Sequence, residues 1–323
     1  MIKIARLFHL ALPLLFLLAA PAHSTTSPYK LTLILDWFVN PDHATLFVAE
    51  EKGFFKEQNL EVVLINPADS SDPPKLVAAE QADLAITYEP DFIDQVEHGL
   101  PLRTFGTLVD KPLNCLLLLR DGPVKTLAEL KNRRIGSSSG GIKALMLKIM
   151  LQKQGLKLDD VDLINVRHNL LQALLARKVD AVSGAMRNIE AAQLVSYSHP
   201  PLIFLPEKNG IPTYSELIFV ARQDRLQNPQ QRLALRHFLL ALHKAAVYLK
   251  KHPEACWLAF AKKYPALNND LNHRAWTASL PYFTNHPERI AAEEWRAFIV
   301  FMRQNGLIQS QRNLSDYITE ITT

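Results

Sequence analysis

Between Asp36 and His43 the chain places a carboxylate, an indole, an amide and an imidazole: Asp36, Trp37, Asn40 and His43, within Leu35-Asp36-Trp37-Phe38-Val39-Asn40-Pro41-Asp42-His43. The stretch lies between a short apolar strand and a helix expected to open at His43, where side chains converge on the crevice beyond a strand's carboxyl end. A flat aromatic face beside hydrogen-bonding groups is the chemistry of a small-molecule site. A lone tryptophan is otherwise core filling. With polar neighbours on both sides, Trp37 is read here as a partly exposed stacking surface.

Three further clusters sit at expected strand ends. Thr87-Tyr88-Glu89-Pro90-Asp91 offers Tyr88 and Glu89, the alternative being acidic residues favoured by a helix N-terminus. Ser137-Ser138-Ser139-Gly140-Gly141 brings hydroxyls and free backbone N–H groups to a strand-to-helix turn that holds an anion or polar group, or is simply a capped turn. Lys143 is not followed by Ser or Thr, so this is not a phosphate-binding Walker loop. Met186-Arg187-Asn188-Ile189-Glu190 would aim Asn188 and Glu190 at the crevice from the opposite side, and Tyr214 with Glu216 completes the set, surface positions being the alternative for that pair. Cys115 and Cys256 are the only cysteines, too few for a metal cluster or a disulfide framework, and their apolar settings suit two buried free thiols. No cofactor is expected.

The elements that must position these residues alternate. Strands are expected at 31–35, 62–65, 84–87 and 102–108, with helices at 44–51 and 74–80 and a third running through Val96 and ended by Gly99, which makes a βαβαβ unit with a mostly parallel sheet covered on both faces. A second unit follows with strands at 115–119, 134–137, 162–166, 181–184 and 202–205 and helices at 127–130, 140–154, 169–177 and 188–197. The run Lys75 to Ala85 echoes Leu171 to Ala181, each a helix entering a strand through an Asp, so the two halves should be similar lobes. After a strand at 217–221 only helices are expected, at 229–250, 252–263, 271–280 and 290–305, returning to cover the first lobe. This is an α/β chain of two lobes around a hinged cleft: 25–113 with 222–323 forms one lobe and 114–221 the other, crossing near Pro112 to Cys115 and near Ala221.

Residues 1–24 read as a leader. Lys3 and Arg6 form a basic start, Leu10 to Leu18 an apolar run too short to span a bilayer, and Ala20-Pro21-Ala22 or Ala22-His23-Ser24 a small-residue cleavage site with no lipid-anchoring cysteine after it. A soluble, monomeric exported protein beginning near Thr25 is expected. The formal charge of +4 falls to +2 without Lys3 and Arg6, and the one dense basic cluster, Lys131 with Arg133 and Arg134, lacks interleaved aromatics. Nothing here fits nucleic acid.

The Asp36-Trp37-x-x-Asn40-x-x-His43 block, Glu51-Lys52-Gly53-Phe54-Phe55, Thr87-Tyr88-Glu89 and Asn188-x-Glu190 together resemble the thiamine-pyrimidine-precursor binding proteins of ABC importers, within the NMT1/THI5-like group. The resemblance spans about residues 30 to 265 and is most specific in its first block. It implies a two-lobed type II periplasmic-binding fold and delivery of a pyrimidine ligand to a permease of the inner membrane. The group also holds a eukaryotic enzyme that forms the pyrimidine phosphate from bound pyridoxal phosphate and its own histidine. Its Lys and His fall where this chain has Thr87 and Asp91, and its cysteine-rich iron motif has no counterpart between Gly210 and Glu216, so no enzyme activity of that kind is expected.

An aminopyrimidine suits these residues: Trp37 and Tyr88 offer aromatic faces, and Asp36, Glu89 or Glu190 can accept from the exocyclic amine or a ring N–H. A sulfonate, nitrate or taurine carrier is the competing assignment. The same carboxylates would repel an anion, leaving the Ser137 to Gly141 turn to compensate.

Overall fold

The structure, a computed structural model, describes residues 27–69, 71–137, 142–167 and 169–321. The expected leader and Ser138, Ser139 and Gly140 lie outside the described residues. In chain order the first half runs β1 (Tyr29–Ile34), a 3-10 turn (Pro41–His43), α1 (Ala44–Glu51), α2 (Phe54–Glu57), β2 (Leu60–Ile65), α3 (Pro73–Ala78), β3 (Leu84–Thr87), α4 (Glu89–Glu97) and β4 (Leu102–Val109). The second half runs β5 (Asn114–Leu119), β6 (Arg134–Ser137), α5 (Ile142–Gln152), β7 (Asp162–Asn165), α6 (Leu170–Leu175), β8 (Ala181–Met186), α7 (Glu190–Ser196) and β9 (Pro201–Phe204). It closes with β10 (Leu217–Arg222), α8 (Pro229–Lys251), α9 (Pro253–Lys263), α10 (Asp270–Ser279) and α11 (Ala292–Gln304).

The two sheets share one plan. Their orders are β2-β1-β3-β10-β4 and β7-β6-β8-β5-β9. In each, four strands run the same way, and the strand on which the chain enters after crossing between the lobes, β10 or β5, inserts antiparallel before the last. The echoed segments, α3 into β3 and α6 into β8, occupy equivalent places, so the repeat seen in the sequence is a repeat of architecture.

One boundary is corrected. The strand at Leu217–Arg222, expected to end the second lobe, hydrogen-bonds between β3 and β4 of the first sheet, so the second crossing lies between β9 and Leu217 rather than near Ala221. Its core, Leu217 to Ala221, is buried throughout, and such a strand needs partners on both edges and cover on both faces. The expected mostly parallel sheets therefore each carry an antiparallel strand.

The C-terminal helices do return to the first lobe. Asn228 caps α8 by accepting from Gln230 and Gln231 N–H, with Pro229 at the first helical position, and α8 then packs Phe238 against Phe55, Phe105 and Phe219. Trp295 of α11 meets Phe92 of α4 edge-on at 6.0 Å. Helix α10 faces both ways, packing on the 3-10 turn after β1 and on α7 of the second lobe. Gly53 closes α1 at φ 74°, a left-handed conformation in which an L side chain is strained. Cys115 and Cys256 are buried free thiols, and burial pushes Cys256 up to about 11.

Candidate functional site

The turn after β1 is built by its own polar groups. Asn40 caps the 3-10 turn: its side-chain oxygen accepts from Asp42 N–H at 2.8 Å and its amide donates to Phe38 C=O at 2.9 Å. Its backbone N–H points at His43 Nδ1 (3.2 Å), which leaves that nitrogen's lone pair as acceptor and the ring proton on Nε2, donated to Asp36 Oδ1 at 2.9 Å. Asp36 Oδ2 accepts from the Tyr88 hydroxyl at 2.8 Å. Burial pushes the Asp36 carboxyl up, but the bonds from His43 and Tyr88 outweigh it and hold the group below its ordinary range. Burial and the Asp36 charge push the Tyr88 phenol well up, so it stays a proton donor. Asp36 thus locks Tyr88, on the β3–α4 turn, to the turn after β1.

Beside this lock the two lobes enclose a cavity of about 240 Å³. Half-buried Trp37 and Tyr88 line it from the first lobe, with Leu113 and Leu217 from the crossings and Met186, Ile189 and Leu170 from the second lobe. Its polar lining is Asp36, Asn40, Asp42, Glu190, Glu216 and Arg167. Trp37 and Phe38 meet edge-on at 6.2 Å, and Phe38 is left exposed.

Six of the residues expected from sequence line this cavity: Asp36, Trp37, Asn40, Tyr88, Glu190 and Glu216. His43 stands behind Asp36, and Ser137 is half-buried at the end of β6 outside the lining. Tyr214 borders a separate crevice with Glu216, and its ring packs on Phe298 at 5.1 Å. Glu89 and Asn188, both expected to meet ligand, are instead buried ties. Glu89 Oε2 accepts from Ser215 N–H at 2.7 Å, which anchors the second crossing, and burial pushes its carboxyl up to about 8. Asn188 Nδ2 donates to Ser279 Oγ at 2.7 Å and to Asp42 Oδ1 across the cleft, while Ser279 Oγ donates to the same Asp42 oxygen at 3.0 Å. Burial is the largest influence on Asp42 as well and pushes it up to about 7.

Glu216 has a second duty beside the cavity. Its Oε2 accepts from Leu113 N–H at 2.6 Å and Asn114 N–H at 3.1 Å, the first crossing's peptide groups. From the other side Arg187 donates to Leu113 C=O and Asn114 C=O at 3.3 and 3.0 Å and pairs with Glu207 at 2.6 Å. Charged side chains therefore satisfy the backbone where the lobes join. Asp42, Arg167, Leu113 and Met186 were missed as lining residues. Asp42 and Met186 lay inside runs already singled out and were legible there; Arg167 and Leu113 carry no local signal. Among the described residues no group of three or more His, Cys, Asp or Glu is placed to hold a metal ion, and no helix is long and apolar enough to cross a membrane.

The family model described as NMT1/THI5 like matches residues 40–256. A Haemophilus influenzae protein named for thiamine biosynthesis is 43% identical over 293 residues, covering 90% of this chain and 92% of that one. The formylaminopyrimidine-binding protein of Halalkalibacterium halodurans is 28% identical, covering 78% and 77%. A 4-amino-5-hydroxymethyl-2-methylpyrimidine phosphate synthase of Saccharomyces cerevisiae is 24% identical, covering 79% and 77%. Among solved structures, the alkanesulfonate-binding protein of Xanthomonas axonopodis pv. citri superposes with a TM-score of 0.71 at 14% identity, covering 91% and 99%, a likeness of fold.

Proposed function

The chain belongs to the NMT1/THI5-like family, and from that premise we propose that it is a periplasmic solute-binding protein that captures a thiamine-related aminopyrimidine, hydroxymethyl- or formylaminomethyl-substituted, for an ABC importer. It carries out no reaction of its own, works as a monomer after losing a leader at 1–24, and hands its ligand to an inner-membrane permease.

The observation that carries this reading is the lining of the cavity: two aromatic side chains, Trp37 and Tyr88, within a ring of carboxylates, Asp36, Asp42, Glu190 and Glu216. An aromatic heterocycle stacks on the first and donates its amine to the second. The name of the Halalkalibacterium relative supports the same ligand class, and that of the Haemophilus relative supports the link to thiamine biosynthesis. The synthase reading lacks its chemistry: Thr87 ends β3 and Asp91 lies in the first turn of α4, where the resemblance would call for Lys and His. The sulfonate reading meets four carboxylates and one arginine in the lining.

Mass spectrometry of small molecules released from freshly purified, denatured protein should find an aminopyrimidine. Calorimetry should show hydroxymethyl- or formylaminomethyl-pyrimidine binding and little affinity for an alkanesulfonate. Tight sulfonate binding that improves in Glu190→Gln would overturn the assignment.

A further inference from the structure

Among the described residues Arg167 is the one basic side chain in the cavity lining. It lies two residues beyond β7, in a left-handed backbone conformation (φ 52°) that non-glycine residues seldom adopt, held there by an N–H donated to Asn165 Oδ1 at 2.9 Å. Its side chain is exposed and pairs with no carboxylate among the described residues, although the chain has other arginines, Arg187 and Arg222 among them, in ion pairs at 2.6–2.9 Å. An unpaired arginine on a loop is ordinarily a solvated surface group. This one borders a cavity whose other charged lining groups, among the described residues, are Asp36, Asp42, Glu190 and Glu216.

The lining therefore carries charges of both signs. Asp36 and Asp42 belong to the turn after β1, Glu216 precedes β10 and Glu190 opens α7, whereas Arg167 reaches the cavity from the β7–α6 loop of the second lobe. A ligand that fits such a lining carries both hydrogen-bond donors for the carboxylates and an electron-rich atom for the guanidinium. An arginine offers a planar fork of N–H donors and no acceptor, so it takes an oxygen and rejects an amine. A hydroxyl or formyl oxygen satisfies it without adding charge. A phosphomonoester would gain Arg167 but set a dianion among four carboxylates, in a site where low dielectric strengthens the repulsion.

We infer that Arg167 is the specificity-determining residue for the substituent on the pyrimidine, selecting a neutral oxygen-bearing group, and that the cleft takes the unphosphorylated ligand. The inference rests on the aminopyrimidine reading and sharpens it: the carboxylates recognise the amine-bearing ring, and Arg167 recognises what distinguishes one pyrimidine from another.

The test is calorimetry of the full chain, as parent, Arg167→Ala and Arg167→Lys, with four ligands: hydroxymethyl-, formylaminomethyl- and aminomethyl-aminopyrimidine and the phosphate ester of the first. Circular dichroism of the variants checks that they are folded. In Arg167→Ala the two oxygen-bearing ligands should weaken by about tenfold or more, a typical loss for one hydrogen bond from a charged donor. The aminomethyl compound should bind unchanged or more tightly, because its ammonium no longer faces a cation. Arg167→Lys should recover part of the loss. The phosphate ester should bind the parent at least about tenfold more weakly than the alcohol, and more weakly still in Arg167→Ala. Equal weakening of all four ligands would show a merely structural role and overturn the inference, as would a parent that prefers the ester. A parent that binds none of the four pyrimidines would overturn the aminopyrimidine reading itself, a result distinct from failed discrimination in a parent that binds.

Discussion

Asn188→Ala should open the molecule while leaving each lobe folded. The amide bridges three elements: Asn188 follows β8 of the second lobe, Asp42 sits in the turn after β1 of the first, and Ser279 ends α10. All three residues are at most 6% exposed. Truncation removes one bond to a carboxylate, worth about 1.5–3 kcal/mol, and one to a hydroxyl, worth about 0.5–1.5 kcal/mol, with water entering the gap returning part of the sum. A net loss of about 2–3 kcal/mol changes an equilibrium constant by roughly 30- to 150-fold. Because these bonds cross the cleft, the loss falls on the closed-to-open equilibrium rather than on either core. Small-angle scattering should show an expanded particle for Asn188→Ala, and the urea midpoint of the lobes should move little. The partner substitution Asp42→Asn should couple to it, with the double mutant costing about 0.5–3 kcal/mol less than the sum of the singles. Unchanged scattering, or additive singles, would refute the argument that this amide holds the lobes together.

Glu89 is pushed up to about 8 in the folded chain from an ordinary 4.5, so between those values the folded state keeps a proton that the unfolded state sheds, and stability falls as pH rises through that window. Urea unfolding from pH 5 to 9 should show that decline in the parent and a flatter profile in Glu89→Gln, and an unchanged slope would count against the buried carboxyl as its source. Asp36 is held low, so its contribution is present above the ordinary carboxylate range and lost as pH falls through the folded value. Tyr88→Phe, which removes the donor to Asp36 Oδ2, should cost about 1.5–3 kcal/mol near neutral pH, with the cost shrinking in acid. Trp37→Ala should weaken an aminopyrimidine by the roughly 0.5–1.5 kcal/mol of a stacking contact plus its buried area, read by calorimetry, and the parent's tryptophan fluorescence should respond to ligand.

Most of the architecture was legible because its signals are local. Gly53 ends α1, and the strands Leu84–Thr87 and Arg134–Ser137 fall where their apolar runs place them. What eluded the sequence depends on partners far along the chain. Nothing local in Leu217–Arg222 says which sheet receives it; that is decided by the vacant edge between β3 and β4, more than a hundred residues earlier. The same holds for side chains. A polar side chain after a strand end reads as a ligand contact, yet Glu89 and Asn188 satisfy groups that the crossing and the opposite lobe bring to them, Ser215 N–H for the carboxyl and the Asp42 carboxylate for the amide. Sequence gave the positions near the cleft without the competing demand of buried backbone for acceptors.

That competing demand bears on how ligand sign can be read from this fold. The superposition on an alkanesulfonate-binding protein at 14% identity shows that the backbone alone leaves an anion and a neutral heterocycle both open. The charge in the cavity lining has to decide. Asp36 gives both oxygens to His43 and Tyr88, Asp42 gives one to Asn188 and Ser279, and Glu216 holds two backbone N–H groups. Removing any of these charges to admit an anion would leave buried donors unpaired, at about 1–3 kcal/mol each. The negative lining is therefore tied to the bonds that join the turn after β1 to Tyr88, the crossings to the sheets, and one lobe to the other. Under the aminopyrimidine proposal, a descendant of this chain that changed to an anionic ligand would have to rebuild the bonds at its crossings as well as its site.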